Sequence, residues 1–271
     1  MRMFYRCVLA VVTAAWSMAG GKAAEPVAGP QKPAAAPSAE EPAVAPTSGA
    51  EIVAATVMKE KGATVELDGK GHVVAAEWAG AKLDDDALAP IANLPALESL
   101  DLGESRVTEA GLVRLRGLTG LKRLYLHDLP ITDHALVNLR NLVHLDVLSL
   151  QNTRIEGPGL IYLRGMTHLR VLNLSKTKAA NDALVFVKGF QELDTLALED
   201  TGVTGAGLAH LKLLDRLRVL NLSGCKITDA DLAGLVGHDA LRMLYLRRCG
   251  VTQKGVSSFK EKMVSLAVYY F

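Results

Sequence analysis

Leucine returns at Leu97, Leu121, Leu145, Leu169, Leu193, Leu217 and Leu241, once every 24 residues. Each opens the same phrase: LESLDL, LKRLYL, LDVLSL, LRVLNL, LDTLAL, LRVLNL and LRMLYL. Ten residues on stands Val107, Ile131, Ile155, Ala179, Val203, Ile227 or Val251, and five later Leu112, Leu136, Leu160, Leu184, Leu208, Leu232 or Val256. The phrase alternates apolar and variable positions, as a half-buried strand does. In LKRLYL, Leu124 and Leu126 point to one side and Tyr125 to the other. Between Thr108 and Leu118, the apolar Leu112, Leu115 and Leu118 form a helical stripe. Thr108, Thr132, Thr204, Thr228 and Thr252 precede such stripes, where a hydroxyl is expected to cap free N–H groups. Thr228 with Asp231 fits the reciprocal capping pattern.

A fixed period carrying L-x-x-L-x-L resembles the leucine-rich-repeat family, whose repeats run 20–29 residues. The closest subtype follows the strand with I/V-T-D-x-G-L-x-x-L, as in secreted bacterial repeat proteins and the repeat halves of eukaryotic F-box proteins. The resemblance spans residues 73–271. It implies an α/β fold: a right-handed β-α solenoid, a horseshoe with a parallel sheet on its concave face and helices on its convex face. The family places Asn nine residues into each repeat; here that place holds Ser105, Leu129, Thr153, Thr177, Thr201, Cys225 and Cys249. Leu129 departs from the hydroxyl or thiol pattern, and Ala179-Ala180 departs from I/V-T. Nothing before Val73 resembles an F-box, so a role in ubiquitin ligation does not carry over.

The ends break the period. Arg2 and Arg6 precede an apolar run from Cys7 to Ala19, and small residues follow at Gly20, Gly21, Ala23 and Ala24. That order reads as a signal peptide over 1–24, too short to remain as a membrane span. Residues 25–50, rich in Pro and Ala, read as a disordered spacer. Residues 51–96 read as a cap: a helix over Glu51–Gly62, a hairpin turning at Asp68-Gly69, and a degenerate first coil from Val73. Seven repeats fill 97–265, and 266–271 form a truncated strand. Leu266 arrives one residue late, which places Tyr270 beside Tyr245. An apolar edge strand there is a pairing hazard and a route to homo-oligomers.

Composition narrows function without naming it. The formal net charge is +1, and removing residues 1–24 leaves 27 basic against 29 acidic residues. Neither value supports nucleic-acid binding. Aromatics are 5%, and three cysteines cannot build a disulfide framework or a four-cysteine zinc site. His144 and His168 share one repeat position, but no carboxylate is expected to recur there and complete a site, so no metal site is expected. Gly202, Gly205 and Gly207 lack the lysine of a phosphate loop. Asp84-Asp85-Asp86 reads as the acidic start of a helix. Cys225 and Cys249 lie one coil apart and read as buried thiols, with a bridge left open. No catalytic constellation, cofactor or enzyme activity is expected.

The variable strand positions carry the remaining signal. They run from Glu98, Ser99, Asp101 and Glu104 at one end to Arg242, Met243, Tyr245, Arg247 and Arg248 at the other. The candidate binding residues are Arg123, Tyr125, Arg242, Tyr245, Arg247, Arg248 and Tyr270. Tyrosine and arginine are enriched where binding energy concentrates. The expectation is a secreted or periplasmic module that binds a protein partner on its concave face. The alternatives are a self-associating envelope or surface protein and a glycan-binding module.

Overall fold

A computed structural model of the chain describes residues 49–80 and 83–270. The expected signal peptide, and the spacer up to residue 48, lie outside the described residues. Helix α1 spans Gly49–Glu60, beginning inside the stretch read as spacer and ending before Gly62. It is followed by β1 (Thr64–Leu67) and β2 (Val73–Glu77). Eight three-residue strands continue the chain: β3 (Ser99–Asp101), β4 (Arg123–Tyr125), β5 (Val147–Ser149), β6 (Val171–Asn173), β7 (Thr195–Ala197), β8 (Val219–Asn221), β9 (Met243–Tyr245) and β10 (Ala267–Tyr269). They form one ten-stranded sheet in chain order. β1 pairs antiparallel with β2, and every later pair is parallel.

Parallel strands need a crossover, and each coil supplies one on the far side of a leucine core. Leu100, Leu124, Leu148, Leu172, Leu196, Leu220 and Leu244 are wholly buried on the inner side of the strands. They meet the buried crossover residues Leu112, Leu136, Leu160, Leu184, Leu208 and Leu232 in one continuous core.

The crossovers are mostly tighter than α-helices. The segments Gly111–Gly117, Asp133–Leu139, Pro158–Leu163, Gly205–Leu213 and Asp231–Leu235 are 3-10 helices. Their buried residues recur at every third position, as at Leu112, Leu115 and Leu118, and a helix of three residues per turn stacks these on one side. α2 (Asn181–Val187) is a short α-helix on the same spacing. α3 (Gln253–Lys262) buries Val256 and Phe259, with Met263 next, a wider α-helical spacing that takes up one extra residue.

That extra residue corrects one expectation. The approach to β10 is a residue shorter, so the strand register stays in step and pairs Tyr269 with Tyr245. The rings of Tyr245 and Tyr269 stack with centroids 4.7 Å apart and planes 10° apart. Tyr270 falls opposite the core positions and packs against the hydrophobic cluster.

The threonines also act differently from the expected caps. Thr252 caps its helix in the expected way, its hydroxyl accepting from the Gly255 N–H at 3.1 Å, and the Thr108 hydroxyl accepts from the Ala110 N–H at 3.2 Å just before its 3-10 helix. Most reach sideways to the preceding coil. The Thr108 N–H and hydroxyl donate to Asp85, those of Thr132 to Glu109, and those of Thr252 to Asp229. Gly205 holds the corresponding place one coil before Thr228, and there Asp231 reaches back to the Thr228 N–H and hydroxyl, each 2.8 Å away. A Cβ at Gly205 would overlap that Asp231 carboxylate.

The cap closes one end of the core. The Glu51 carboxylate accepts from the Val73 N–H at 2.9 Å and lies 3.0 Å from His72 Nδ1, both side chains being almost fully buried. The hairpin turn is longer than an Asp-Gly pair. Asp68 Oδ1 accepts from the N–H groups of Lys70 and His72, an Asx turn that spans the five residues between β1 and β2 with the help of a bulge at Glu66 and Leu67.

Candidate functional site

Side chains on the solvent face of the sheet come from the first and third residues of each strand. Beyond each strand the chain reverses through a left-handed residue. Glu104, Asp128, Asn152, Lys176, Asp200 and Arg248 have φ between 52° and 60°, and Gly224 has φ 73°. These residues lie 24 apart, so their side chains form a ladder along one margin of the sheet. Left-handed backbone costs a non-glycine residue about 1–2 kcal/mol, so this margin is held by the leucine core and not by local preference.

The C-terminal end of this face is aromatic and closed by ion pairs. Tyr245 is buried, and burial pushes its phenol up to about 12. Arg248 donates to Glu199 Oε1 at 2.9 Å and to Asp200 Oδ2 at 3.0 Å, two coils away. Those two acids hold the Arg248 guanidinium firmly protonated. Arg242 is exposed but donates to the Asp239 and Leu241 carbonyls at 2.6 and 3.0 Å. Arg247 is half-buried beside Tyr245, and Met243 is half-buried in the same strand. Arg123 is half-buried at the other end, its Nε 3.4 Å from Ser99 Oγ. Tyr125 faces the same side but is 3% exposed.

The opposite margin, where the crossovers return to the strands, is a charge ladder. Glu98 pairs with Lys122 at 2.6 Å, Asp146 with Arg170 at 3.8 Å, and Asp194 with Arg218 at 3.4 Å. Arg242 ends this series. A parallel series corrects the reading of His144 and His168, because Glu192 holds their position in the next coil. It lies 3.7 Å from His168 and 3.7 Å from Arg216. Arg170, Glu192, Asp194, Arg216, Arg218 and Ala240 line an open groove of about 250 Å³ there.

The N-terminal end of the left-handed ladder differs. Glu104, His127 and Asp128 bring three metal-ligating atoms within 4.8 Å of one another. His127 Nδ1 is buried without a hydrogen-bond partner, 3.8 Å from Asp101 Oδ1. Burial raises the Asp101 carboxyl above its ordinary range, and Glu104 adds to this while the Gly103 N–H and His127 oppose it. The sequence reading named Asp101 and Glu104 only as face residues and missed the cluster. The signal was present: Glu104 and Asp128 are one period apart and His127 adjoins the second.

The other candidates are absorbed by structure. Asp84 accepts from the Ala87 N–H at 3.0 Å and Asp85 from Thr108. Gly205 and Gly207 make room for side chains of neighbouring coils. Cys225 and Cys249 are both free; their thiols donate to the Leu198 and Leu222 carbonyls at 3.1 and 3.2 Å. Burial raises both thiols, Cys249 to about 11. No helix among the described residues is long and apolar enough to cross a membrane.

Comparison with known proteins agrees with this geometry. A family model described as "Leucine Rich repeat" matches residues 217–236, which hold β8 and the crossover after it. The fold is that of a leucine-rich-repeat solenoid, and one of its repeats matches the family model. Internalin C2 from Listeria monocytogenes str. 4b F2365 is similar in structure, with a TM-score of 0.63, 18% identity, and coverage of 85% of this chain and 100% of that one. The plant peptide hormone receptor RGFR1, solved in complex with RGF2, matches with a TM-score of 0.50 and 17% identity, covering 76% of this chain. The chain spans 36% of that receptor chain. No curated protein sequence matches it significantly. At these identities the likeness is one of fold.

Proposed function

We propose that this leucine-rich-repeat protein is an exported protein-binding module whose partner docks on the sheet face, toward its C-terminal end. The observation that carries the reading is the Tyr245–Tyr269 stack flanked by Met243 and Arg247 on a continuous ten-stranded sheet. Aromatic, Met and Arg side chains on a rigid surface are the composition of binding hot spots. The series of buried leucines holds that surface without induced ordering, which lowers the cost of association. The plant receptor, with the same fold, was solved in complex with RGF2, and this supports binding over catalysis. Residues 1–24 motivate the secreted or periplasmic location.

The geometry redistributes weight among the candidate residues. Arg247 and Tyr269 become the leading contacts, with Arg123 at the far end. Arg242 and Arg248 are committed to internal partners, and Tyr125, Tyr245 and Tyr270 act mainly by supporting the surface. The test uses the chain from residue 25 as bait against cell envelope and culture fluid, beside an Arg247→Glu, Tyr269→Ala bait. A protein retained by the first and lost by the second supports the reading. Equal retention by both refutes the placement, and recovery of the bait chain alone favours self-association.

A further inference from the structure

We propose that Glu104, His127 and Asp128 form a divalent-cation site on the left-handed margin of the sheet, near its N-terminal end. Three features carry the proposal beyond proximity. First, the donors come from two adjacent turns whose backbone is fixed by the repeat, and their ligating atoms already lie within 4.8 Å of one another. Second, no ion pair among the described residues neutralises Glu104 or Asp128. Acids at the matching places further along are closed, Glu199 and Asp200 by Arg248. Third, His127 carries a buried ring nitrogen without a hydrogen-bond partner. That nitrogen, Nδ1, lies 3.8 Å from Asp101 Oδ1. That carboxylate favours the proton on Nδ1 and leaves Nε2 as the donor, the arrangement in which an outer carboxylate sets the tautomer of a metal-binding histidine. The ring is seated against Gly103, where a Cβ would overlap it.

The donor set selects the ion. Two carboxylates and one imidazole suit a first-row ion such as Zn²⁺ better than Ca²⁺ or Mg²⁺, which take oxygen donors. The Asn152 side-chain amide bonds to Asp128 Oδ1 and holds that carboxylate in place. Three protein ligands leave a position for water or for a group of a bound partner.

The experiment is calorimetric titration of Zn²⁺ into the full chain. The expected result is one site, weakened at least tenfold by His127→Ala or Asp128→Asn and unchanged by His168→Ala. Asp101→Asn, which leaves all three ligands in place, weakens binding about tenfold. Wild-type affinity in His127→Ala overturns the proposal, as does an equal loss in His168→Ala. Ring-nitrogen NMR of the wild-type chain gives an answer independent of variant folding. Zn²⁺ shifting the His127 Nε2 resonance supports the site, and a shift confined to other histidines refutes it.

Discussion

The turn after β4 and the turn after β7 occupy the same places in the repeat, yet their charges are resolved differently. At the second, Glu199 and Asp200 share Arg248, which reaches back across a whole coil. At the first, Asp128 has Lys176 at the matching place, but Lys176 forms no ion pair among the described residues. The residue between explains the contrast. Between Asp200 and Arg248 the ladder holds Gly224, and a Cβ there would overlap the Asp200 carboxylate. Between Asp128 and Lys176 it holds Asn152, whose amide bonds to Asp128. The repeat fixes the backbone of every turn, while a missing side chain decides whether charge is cancelled within the solenoid or left for a ligand.

The largest effects test the closed, aromatic end. Tyr245 is 7% exposed and stacked on Tyr269, so Tyr245→Ala is expected to destabilise by about 3 kcal/mol in denaturant unfolding. Tyr269, half-buried at the sheet margin, is expected to cost about 1 kcal/mol. Equal costs would mean that the pair is a surface feature and not a support for it. The open end has its own steric test. Gly103→Ala forces the His127 ring off its seat and is expected to cost about 1–2 kcal/mol. An unchanged midpoint with unchanged His127 resonances would remove the argument for a fixed ring.

A third test uses alkali. The Tyr245 phenol is raised by burial to about 12, with Tyr269 adding to the shift and Arg247 opposing it. An unfolded tyrosine titrates near 10. The folded state therefore keeps the proton that the unfolded state loses, so stability is full below pH 10 and declines as pH rises from 10 toward 12. Tyr245→Phe should flatten that decline in unfolding midpoints measured across the range. A slope that persists in the variant would assign the effect to another group.

How much of this was visible in the chain depended on periodicity. The coils, the inward leucines and the parallel strands follow from the 24-residue spacing, because each position repeats its environment. The three-residue spacing of Leu112, Leu115 and Leu118 suits a 3-10 helix, but Leu184 and Val187 keep the same spacing in the α-helical α2, so the spacing alone does not tell the two apart. What escaped were contacts between coils. Thr108 was assigned to its own helix, but its partner Asp85 lies 23 residues earlier. Arg248 stood out as a cation, but the acids that occupy it are 48 and 49 residues away. Tyr270 was misplaced because a one-residue surplus in α3 is cancelled before β10, and only strand register reveals that. Patterns within one period show what a position needs; side chains that cross periods show what is left over.

The smallest expected change in stability is the most direct test of the gap itself. Gly224→Asn keeps a residue tolerant of left-handed backbone while filling the space through which Arg248 reaches Asp200. The reverse pair, Asn152→Gly with Lys176→Arg, opens the same space beside Asp128 and supplies a guanidinium. Asn152 and Lys176 are exposed and Gly224 is half-buried beside the movable Asp200 carboxylate, and ion pairs at such a margin add little to stability, so unfolding midpoints should barely move. Side-chain NMR should register them clearly. The guanidinium signal of Arg248 should lose its protection in Gly224→Asn, and a protected guanidinium should appear at position 176 in the double variant. The closed N-terminal turn should then also lose Zn²⁺ binding, because Asp128 would be spent on the new arginine. If Arg248 stays protected beside an asparagine at 224, the gap is not what lets it through, and the contrast between the two turns must come from His127 facing one of them and Glu199 the other.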